Sequence, residues 1–349
     1  MATLDRNAGA LIRACQGPQG RTVAFPTRAH TADVRIMSHS GEQEDVWIGA
    51  HIFLEPNAGR PAHDDVIRRV IAPVAQSCIL RGVATEFFFI RYGEHGPHLR
   101  FRVRIARNNI APATVLLEEE LAAQLRSTGL GEPIPPLSEP AKRSSLSGVW
   151  WVPYVPETAR YGGSSALPLC EGIFATSSEL ACRVVEDFSL DALENRYGIA
   201  LSAMVALLAT SGVGRNRASR IAALHRDHWF GARRHVGQVT SATTETCSRL
   251  AVGQAQREMI ERVWAAASFE VEQLPEPLCD FVENTLPLMA ALRTLCANGG
   301  VVVNNVPAAD WEEACTFLLP SLLHMSNNRL GILPSEESAL AEMIVRAFS

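Results

Sequence analysis

An alternating basic strand is the segment of this 349-residue chain best suited to chemistry. The stretch from Phe87 to Arg104 runs from an apolar tract through a glycine- and proline-containing turn into His-Leu-Arg-Phe-Arg-Val-Arg. This pattern predicts two strands joined by a tight turn. Since side chains alternate across a strand, one face would carry His98, Arg100, Arg102 and Arg104. Guanidinium groups beside an imidazole can bind a carboxylate or phosphate, although a plain solvated strand face has the same pattern.

Two further motifs contain residues that could do chemistry. Tyr154 to Gly163 reads Tyr-Val-Pro-Glu-Thr-Ala-Arg-Tyr-Gly-Gly, in which Arg160 would lie near a sheet edge and paired glycines permit close backbone approach. Its simpler interpretation is a strand-to-helix connection. His324 and Asn328 are four residues apart and would share one face of a helix. Their apolar neighbours also fit an ordinary core histidine.

Three histidines, His225, His228 and His235, have a spacing loosely similar to that of metal ligands. No cysteine or carboxylate completes a standard ligand set, so a solvated basic helix is the favoured interpretation. The eight cysteines include no Cys-x-x-Cys pair and fit buried reduced thiols better than a disulfide framework. We therefore expect neither a metal nor a cofactor.

The composition, 47% hydrophobic and 20% charged, is that of an ordinary globular protein. A formal net charge of -5 argues against direct nucleic-acid binding, so any anion-binding surface must be local. The sequence shows neither a signal-like N-terminus nor an apolar segment of membrane-spanning length. We expect a cytoplasmic protein with no membrane contact.

The elements that position these motifs follow an α+β order. Residues 1–45 are irregular and predict a weakly ordered extension, and residues 46–349 predict a single domain. The predicted elements are strands near 47–54, 87–104 and 149–154, helices near 64–80 and 111–125, and mainly helices after Gly163. The fold class is therefore α+β, with an N-terminal mixed β-sheet and its helices followed by a mainly helical C-terminal part.

The three motifs, in this order, resemble those of a known family. Phe-Phe-Ile-Arg-Tyr with Gly-Pro-His-Leu-Arg-Phe-Arg, then Tyr-x-Pro-Glu-x-x-Arg-Tyr-Gly-Gly, then His-Met-x-x-Asn-Arg-Leu-Gly are similar to signatures of the lantibiotic dehydratase C-terminal domain. That family is also called thiopeptide-type bacteriocin biosynthesis protein. The similarity runs from about Trp47 to Ser349 and does not include the large glutamyl-transferring domain of full-length dehydratases. The resemblance implies a stand-alone, split elimination domain.

The resemblance also implies a reaction and partners. The family eliminates glutamate from glutamylated serine or threonine of a precursor peptide, leaving dehydroalanine or dehydrobutyrine in a peptide antibiotic. The implied partners are the precursor peptide, leader and core, and a glutamyl-tRNA-dependent glutamylating protein, while a homodimer is left open. In this chemistry arginines would bind the leaving glutamate and a base would remove the peptide α-proton.

On this chain the resemblance implies catalytic roles for Arg102, Arg160 and His324. The implied substrate-binding residues are His98, Arg100, Tyr161, Asn328 and Arg329. Which of Arg100 and Arg102 is the functional arginine stays open. Two other functions also stay open: a pyridine synthase that joins two dehydroalanines by a formal cycloaddition and releases the leader, and a non-catalytic peptide-binding scaffold. The retained Arg160 and His324 motifs favour elimination.

Overall fold

The computed structural model describes residues 45–94, 96–128, 142–143, 148–187, 193–232 and 253–349. Among them, residues 45–156 and 177–186 form one compact unit, here called the sheet unit. Residues 157–176 and 187–349 form a second, here called the helical unit. The predicted extension 1–45 lies almost entirely outside the described residues, and the single domain over 46–349 stays a prediction.

The sheet unit contains the hairpin that the alternating sequence predicts. The described strands are β1 (Asp45–Phe53), β2 (Glu86–Tyr92), β3 (His98–Ala106), β4 (Lys142–Arg143) and β5 (Val149–Trp151), in the spatial order β2-β3-β1-β5-β4. All of their pairings are antiparallel. The β2–β3 turn includes Gly96 at φ +106°, a backbone conformation that residues with a side chain rarely adopt.

The apolar face of this sheet supplies a buried core. Leu99, Phe101 and Val103 alternate along β3 and are almost wholly buried, as a two-residue period requires. The helices of the unit are α1 (Arg60–Val66), which continues through a π-helical turn (Ile67–Ile71) into α2 (Ala72–Leu80), and α3 (Ile110–Thr128). Within this core Arg91 of β2 donates to Asp64 of α1 at 2.6 Å, so Arg91 is a structural residue.

The helical unit carries the other two motifs. Its helices are α4 (Leu167–Glu186, of which residues 177–186 belong to the sheet unit), α5 (Leu193–Thr210), α6 (Arg215–Ala232), α7 (Gln254–Phe269), α8 (Glu276–Ala297), α9 (Trp311–Arg329) and α10 (Pro334–Ala347). A hairpin of β6 (Val302–Val303) and β7 (Val306–Pro307) lies between α8 and α9. The antiparallel sheet and its helices come first and helices dominate from Leu167 onwards, which confirms the α+β class. No helix in the described ranges is long and apolar enough to cross a membrane.

Candidate functional site

The basic residues of β3 lie on one side of the sheet, as the alternation predicts. Residues that pair directly across antiparallel strands point to the same side. In the observed register Arg100 pairs with His51 of β1 and Arg102 pairs with Gly49. On the other flank Phe88 of β2 pairs with Arg102. We call this side of the sheet, with His98, Arg100, Arg102 and Arg104, the basic face.

Arg100 is held by two neighbours on the basic face. The Nε of Arg100 donates to Nε2 of His98 at 3.3 Å, and the guanidinium carbon lies 3.5 Å from the centre of the Tyr92 ring. Nδ1 of His98 lies 3.0 Å from the carbonyl oxygen of Gly96. Because a carbonyl only accepts, His98 is neutral with its proton on Nδ1. Among the described residues no carboxylate pairs with Arg100, so its outer nitrogens can serve an anionic ligand.

Arg102 lies on an aromatic surface. Its guanidinium carbon is 4.7 Å from the centre of the Tyr154 ring and 5.2 Å from that of Phe88. Trp47 contacts Phe88 edge to face, with ring centres 4.6 Å apart. Stacking on rings orients a guanidinium without consuming all of its hydrogen-bond donors. Both candidate arginines are therefore oriented by aromatic neighbours.

Arg104 differs from its two neighbours because its charge is paired. It lies 3.4 Å from Asp45 of β1 and 3.3 Å from Glu86 of β2, so it ties the three strands together at one end. At the other end His51 contributes no charge at neutral pH. Burial, followed by the electrostatic effects of His98, Arg100 and Arg102, lowers the pKa of His51 to about 3. On the basic face Arg104 is thus paired with carboxylates, and His51 is neutral at pH 7.

The paired glycines of the second motif are required by the backbone. Gly162 and Gly163 have φ values of +80° and +92°. A Cβ on Gly162 would lie 3.0 Å from the Cβ of Ala166, too close for ordinary packing. The carbonyl of Gly162 also accepts a hydrogen bond of 2.8 Å from the amide of Val302, which joins this turn to β6. The turn that carries Arg160 is therefore tightly packed, not a loose connection.

The same turn brings Arg160 to the helix that carries His324. Nε of Arg160 donates to Oγ of Ser321 at 3.2 Å, and its Nη1 lies 3.3 Å from the exposed carboxylate of Glu157. Ser321 precedes His324 by three residues on α9, so the two side chains are neighbours on its surface. Asn328, one turn further on, is half-buried. The structure thus brings Arg160 and His324 within about one helical turn of each other.

Two residues implied as substrate-binding lie inside the helical unit. Tyr161 is 3% exposed and packs against Phe174 with ring centres 4.9 Å apart, and burial raises its pKa to about 12. Arg329 is fully buried, and its guanidinium carbon lies 4.8 Å from the Phe174 ring. Its Nη1 donates to the carbonyl of Met325 at 2.7 Å. These contacts are those of residues that support the turn and α9, and substrate binding by either stays a prediction.

His324 is held by a carboxylate that the sequence analysis did not single out. Its Nδ1 lies 3.0 and 3.1 Å from the two carboxylate oxygens of Glu337 on α10. Glu337 is fully buried, whereas the His324 side chain is 16% exposed. A carboxylate on Nδ1 fixes the orientation of the ring and places the proton on that nitrogen. His324 is therefore an oriented imidazole at the edge of the buried interior.

The same carboxylate meets a second histidine whose environment was predicted incorrectly. His225 of α6 is fully buried, with Nε2 at 3.2 Å from Glu337, rather than part of a solvated face. His228 is exposed, as predicted, and His235 lies outside the described residues. A signal was present, because Ile221 precedes His225 by four residues and the two share one buried helix face.

The structure thus forms two groups of candidate residues, one in each unit. His98, Arg100 and Arg102 lie together in the sheet unit, and Arg160 and His324 lie together in the helical unit. Arginines of this kind bind carboxylates, and an imidazole held by a carboxylate can accept or donate a proton. Within the described ranges no group of histidine, cysteine, aspartate and glutamate side chains could hold a metal ion.

Comparison with known proteins identifies relatives of this chain. The family model for the C-terminal part of lantibiotic biosynthesis dehydratases matches residues 47–348. Similar solved structures include TbtD, the pyridine synthase from thiomuracin biosynthesis, at 18% identity and a TM-score of 0.63 over 87% of this chain and 97% of TbtD. TsrL matches at 15% identity and a TM-score of 0.59 over 87% of this chain and 95% of TsrL. No match was found among curated proteins.

A third similar structure is MibB, a tRNA-dependent lantibiotic dehydratase from Microbispora sp. 107891. It matches at 19% identity and a TM-score of 0.55, over 89% of this chain but only 28% of MibB. Identities this low establish a shared fold alone. The family model, in contrast, covers most of the sequence and includes the basic strand, the Arg160 turn and the His324 helix. The chain therefore belongs to the family of lantibiotic biosynthesis dehydratase C-terminal domains.

Proposed function

We propose that this protein eliminates glutamate from glutamylated serine or threonine residues of a precursor peptide. The observation that carries the proposal is the group in the helical unit, in which Arg160 contacts Ser321 one turn before His324, and Glu337 holds the His324 ring. A cation for the leaving carboxylate and an oriented imidazole for the proton are the two requirements of this reaction.

The chemical steps follow from these residues. Nε2 of His324 accepts the α-proton, the Cα–H electron pair forms the Cα–Cβ double bond, and the Cβ–O bond breaks. Glutamate leaves as a carboxylate, and its negative charge is stabilised by Arg160. The proton on His324 then passes to solvent. The products are one dehydroamino acid and one glutamate, so no oxidant or cofactor is required.

The basic face has the chemistry to bind a glutamyl group. Glutamate attached through its side-chain ester keeps a free α-carboxylate, and a guanidinium binds such a group through paired hydrogen bonds. Arg100 and Arg102 are the candidates because aromatic rings orient their guanidinium groups, whereas Arg104 is paired with Asp45 and Glu86. The oriented aromatic surface under Arg102 favours Arg102 as the functional residue and Arg100 as its neighbour in substrate binding.

The test uses a synthetic precursor peptide that carries one glutamylated serine. The purified protein should release glutamate and leave a peptide one water lighter than the unmodified peptide. Replacement of His324 or Arg160 by alanine should slow this release by about 10²–10⁴-fold, the usual contribution of an acid–base group, while the fold is retained. His228→Ala and Arg215→Ala, which change an exposed histidine and a paired surface arginine of the same unit, are matched controls.

Substitutions within the basic face test the part assigned to it. Arg102→Lys keeps the positive charge but loses the paired hydrogen bonds of a guanidinium, so it should slow glutamate release. Arg104→Lys, at a residue already paired with Asp45 and Glu86, should leave glutamate release unchanged. Equal rates for Arg102→Lys and the wild type would contradict the role of Arg102.

A second function, pyridine synthesis, is supported by a different observation. The structural match with this chain covers 97% of TbtD, whereas the match with MibB covers 28% of MibB. A pyridine synthase would leave the glutamylated peptide intact, and would instead convert a peptide with dehydroalanines into a macrocycle with release of its leader. Activity in neither assay would indicate a non-catalytic scaffold.

A further inference from the structure

Three side chains from three helices meet in the interior of the helical unit. They are His225 of α6, His324 of α9 and Glu337 of α10, which we call the buried triad. The side chains of His225 and Glu337 are fully buried, and that of His324 is 16% exposed. Both histidines approach the carboxylate within 3.2 Å. Buried carboxylates require partners of this kind, because an uncompensated charge in the interior is strongly unfavourable.

The contacts of His225 determine how many protons the triad holds. Its Nδ1 lies 3.1 Å from the carbonyl oxygen of Pro320, which accepts only, so Nδ1 carries a hydrogen. Its Nε2 faces Glu337 at 3.2 Å. A neutral imidazole would then turn a lone pair towards a carboxylate, and two acceptors would repel each other. Nε2 is at ion-pair distance without an aligned hydrogen bond, and one additional proton on the pair removes the repulsion.

That proton belongs to the imidazole. Burial raises the pKa of Glu337, but the hydrogen bonds and charges of His225 and His324 outweigh burial, so the pKa is lowered from its ordinary value. Glu337 is then a carboxylate, and the proton is assigned to the imidazole that lies between it and the carbonyl oxygen of Pro320. The pair is neutral overall, which is the condition under which an ion pair is tolerated in a protein interior.

The proton of His225 defines the state of His324. Glu337 directs both oxygens at Nδ1 of His324, so that nitrogen carries a hydrogen. Because His225 already neutralises the carboxylate, His324 does not need a second proton to balance it. Its lone pair therefore lies on Nε2. This is the protonation state that a general base must have before the reaction begins.

Other charged groups on the packed helices have partners of their own. Arg226 pairs with Glu342, and Arg346 pairs with the same carboxylate. Glu336 accepts from the hydroxyl of Tyr197. Three further arginines donate hydrogen bonds to backbone carbonyls. They are Arg196 of α5 to Leu330, Arg329 of α9 to Met325, and Arg257 of α7 to Arg346. The two histidines are thus the groups whose charge acts directly on Glu337.

We infer that His225 is a positioning residue that stays charged, neutralises Glu337 and so holds His324 as a neutral imidazole with its lone pair on Nε2. The inference rests on the proposed role of His324 in elimination, but it concerns residues that have no contact with the reacting atoms. It assigns His225 and Glu337 to the control of the base rather than to the stability of the fold.

Nitrogen NMR of the protein labelled with ¹⁵N-histidine tests the protonation states without any activity assay. Spectra of His225→Gln and His324→Gln identify the two signals by their loss. At neutral pH His225 should show two protonated nitrogens, and His324 one protonated and one bare nitrogen. A bare nitrogen on His225, or two protonated nitrogens on His324, would overturn the inference.

Glutamate release as a function of pH provides a second readout. In His225→Gln the carboxylate is no longer neutralised and should keep a second proton on His324, so the acidic limb of the profile should move up by about one to three pH units. Glu342→Gln, which removes a paired carboxylate from the same helix, should leave that limb in place. A His225→Gln limb identical to that of the wild type would contradict the inference.

The two readouts separate this inference from the proposed function. If the wild-type protein releases no glutamate but the spectra show the expected protonation states, elimination fails and the assignment of the triad stands. If glutamate is released but the protonation states differ, elimination stands and the assignment fails. Should His225→Gln not fold, the wild-type signals, assigned through His324→Gln alone, still decide the state of the base.

Discussion

The stability of the sheet unit should depend on pH through His51, a buried histidine on the basic face. Its pKa is lowered to about 3, mainly by burial and then by His98, Arg100 and Arg102. In the unfolded chain the same side chain has its ordinary pKa, near 6.5. Below pH 6.5 the unfolded state therefore binds a proton that the folded state does not, so stability is lost as the pH falls towards 3.

The magnitude follows from the difference between the two pKa values. Each unit of difference corresponds to about 1.4 kcal/mol, so the full loss approaches about 5 kcal/mol at the acidic limit. Over the accessible range from pH 7 to pH 5, protonation of the unfolded histidine lowers the free energy of unfolding by about 2 kcal/mol. His63 contributes in the same direction, because burial also lowers its pKa. Glu186 contributes in the opposite direction, because burial raises its pKa to about 7.

The substitution His51→Phe isolates the contribution of one side chain. Phenylalanine keeps a ring stacked on His98, whose centre is 5.1 Å from that of His51, but it cannot titrate. Urea titrations at pH 5, 6 and 7 should show that the wild type loses about 2 kcal/mol more than the variant over this interval. Phe53→Leu, a neighbouring substitution on the same face, should shift the stability curve without changing its slope. Parallel curves for wild type and His51→Phe would refute the burial argument.

Three further predictions concern the helical unit. Gly162→Ala should lower the free energy of unfolding by about 2–3 kcal/mol, because the position has a positive φ and its Cβ would lie 3.0 Å from that of Ala166. Gly299 also has a positive φ but open space around it, so Gly299→Ala should lower the free energy of unfolding by about 1 kcal/mol. Asp310→Ala removes the N-cap of α9 and should lower the free energy of unfolding by about 1 kcal/mol, which a lower melting temperature would show. Asp310→Ser keeps a capping oxygen and should restore the stability. His225→Leu or Glu337→Met alone should destabilise by about 1–3 kcal/mol, measured by urea unfolding, because each leaves a buried polar partner unsatisfied. The double variant should be close to wild type in stability and inactive.

The sequence predicted the basic face correctly because strand alternation follows from local geometry. It could not show which of the four basic residues are compensated, since that depends on the strand register. Arg104 is neutralised by Asp45 and Glu86, which lie on two different strands and 59 and 18 residues away. Only the pairing of β1 and β2 with β3 reveals which carboxylates meet Arg104.

The buried triad lay beyond sequence reasoning for a related reason. His225 is followed by Arg226, Asp227 and His228, a polar run that indicates a solvated helix. Only one face of that helix is buried, and His225 lies on it. Its carboxylate partner comes from a helix more than a hundred residues further on.

The β6–β7 hairpin was also missed by the sequence analysis, which predicted mainly helices in this region. Its turn depends on Asn304 and Asn305, which have positive φ values.

The presence of His225 and Glu337 in the interior supports the proposed role of His324. A buried ion pair contributes little net stability, since well-packed apolar side chains of similar volume serve as well or better. Apolar side chains in place of Glu337 and His225 would therefore join α6 and α10 at least as stably. Their arrangement does accomplish one thing that apolar residues cannot, because it fixes the proton of His324 on Nδ1. An imidazole held in this way is suited to the removal of a proton, which supports the proposed elimination.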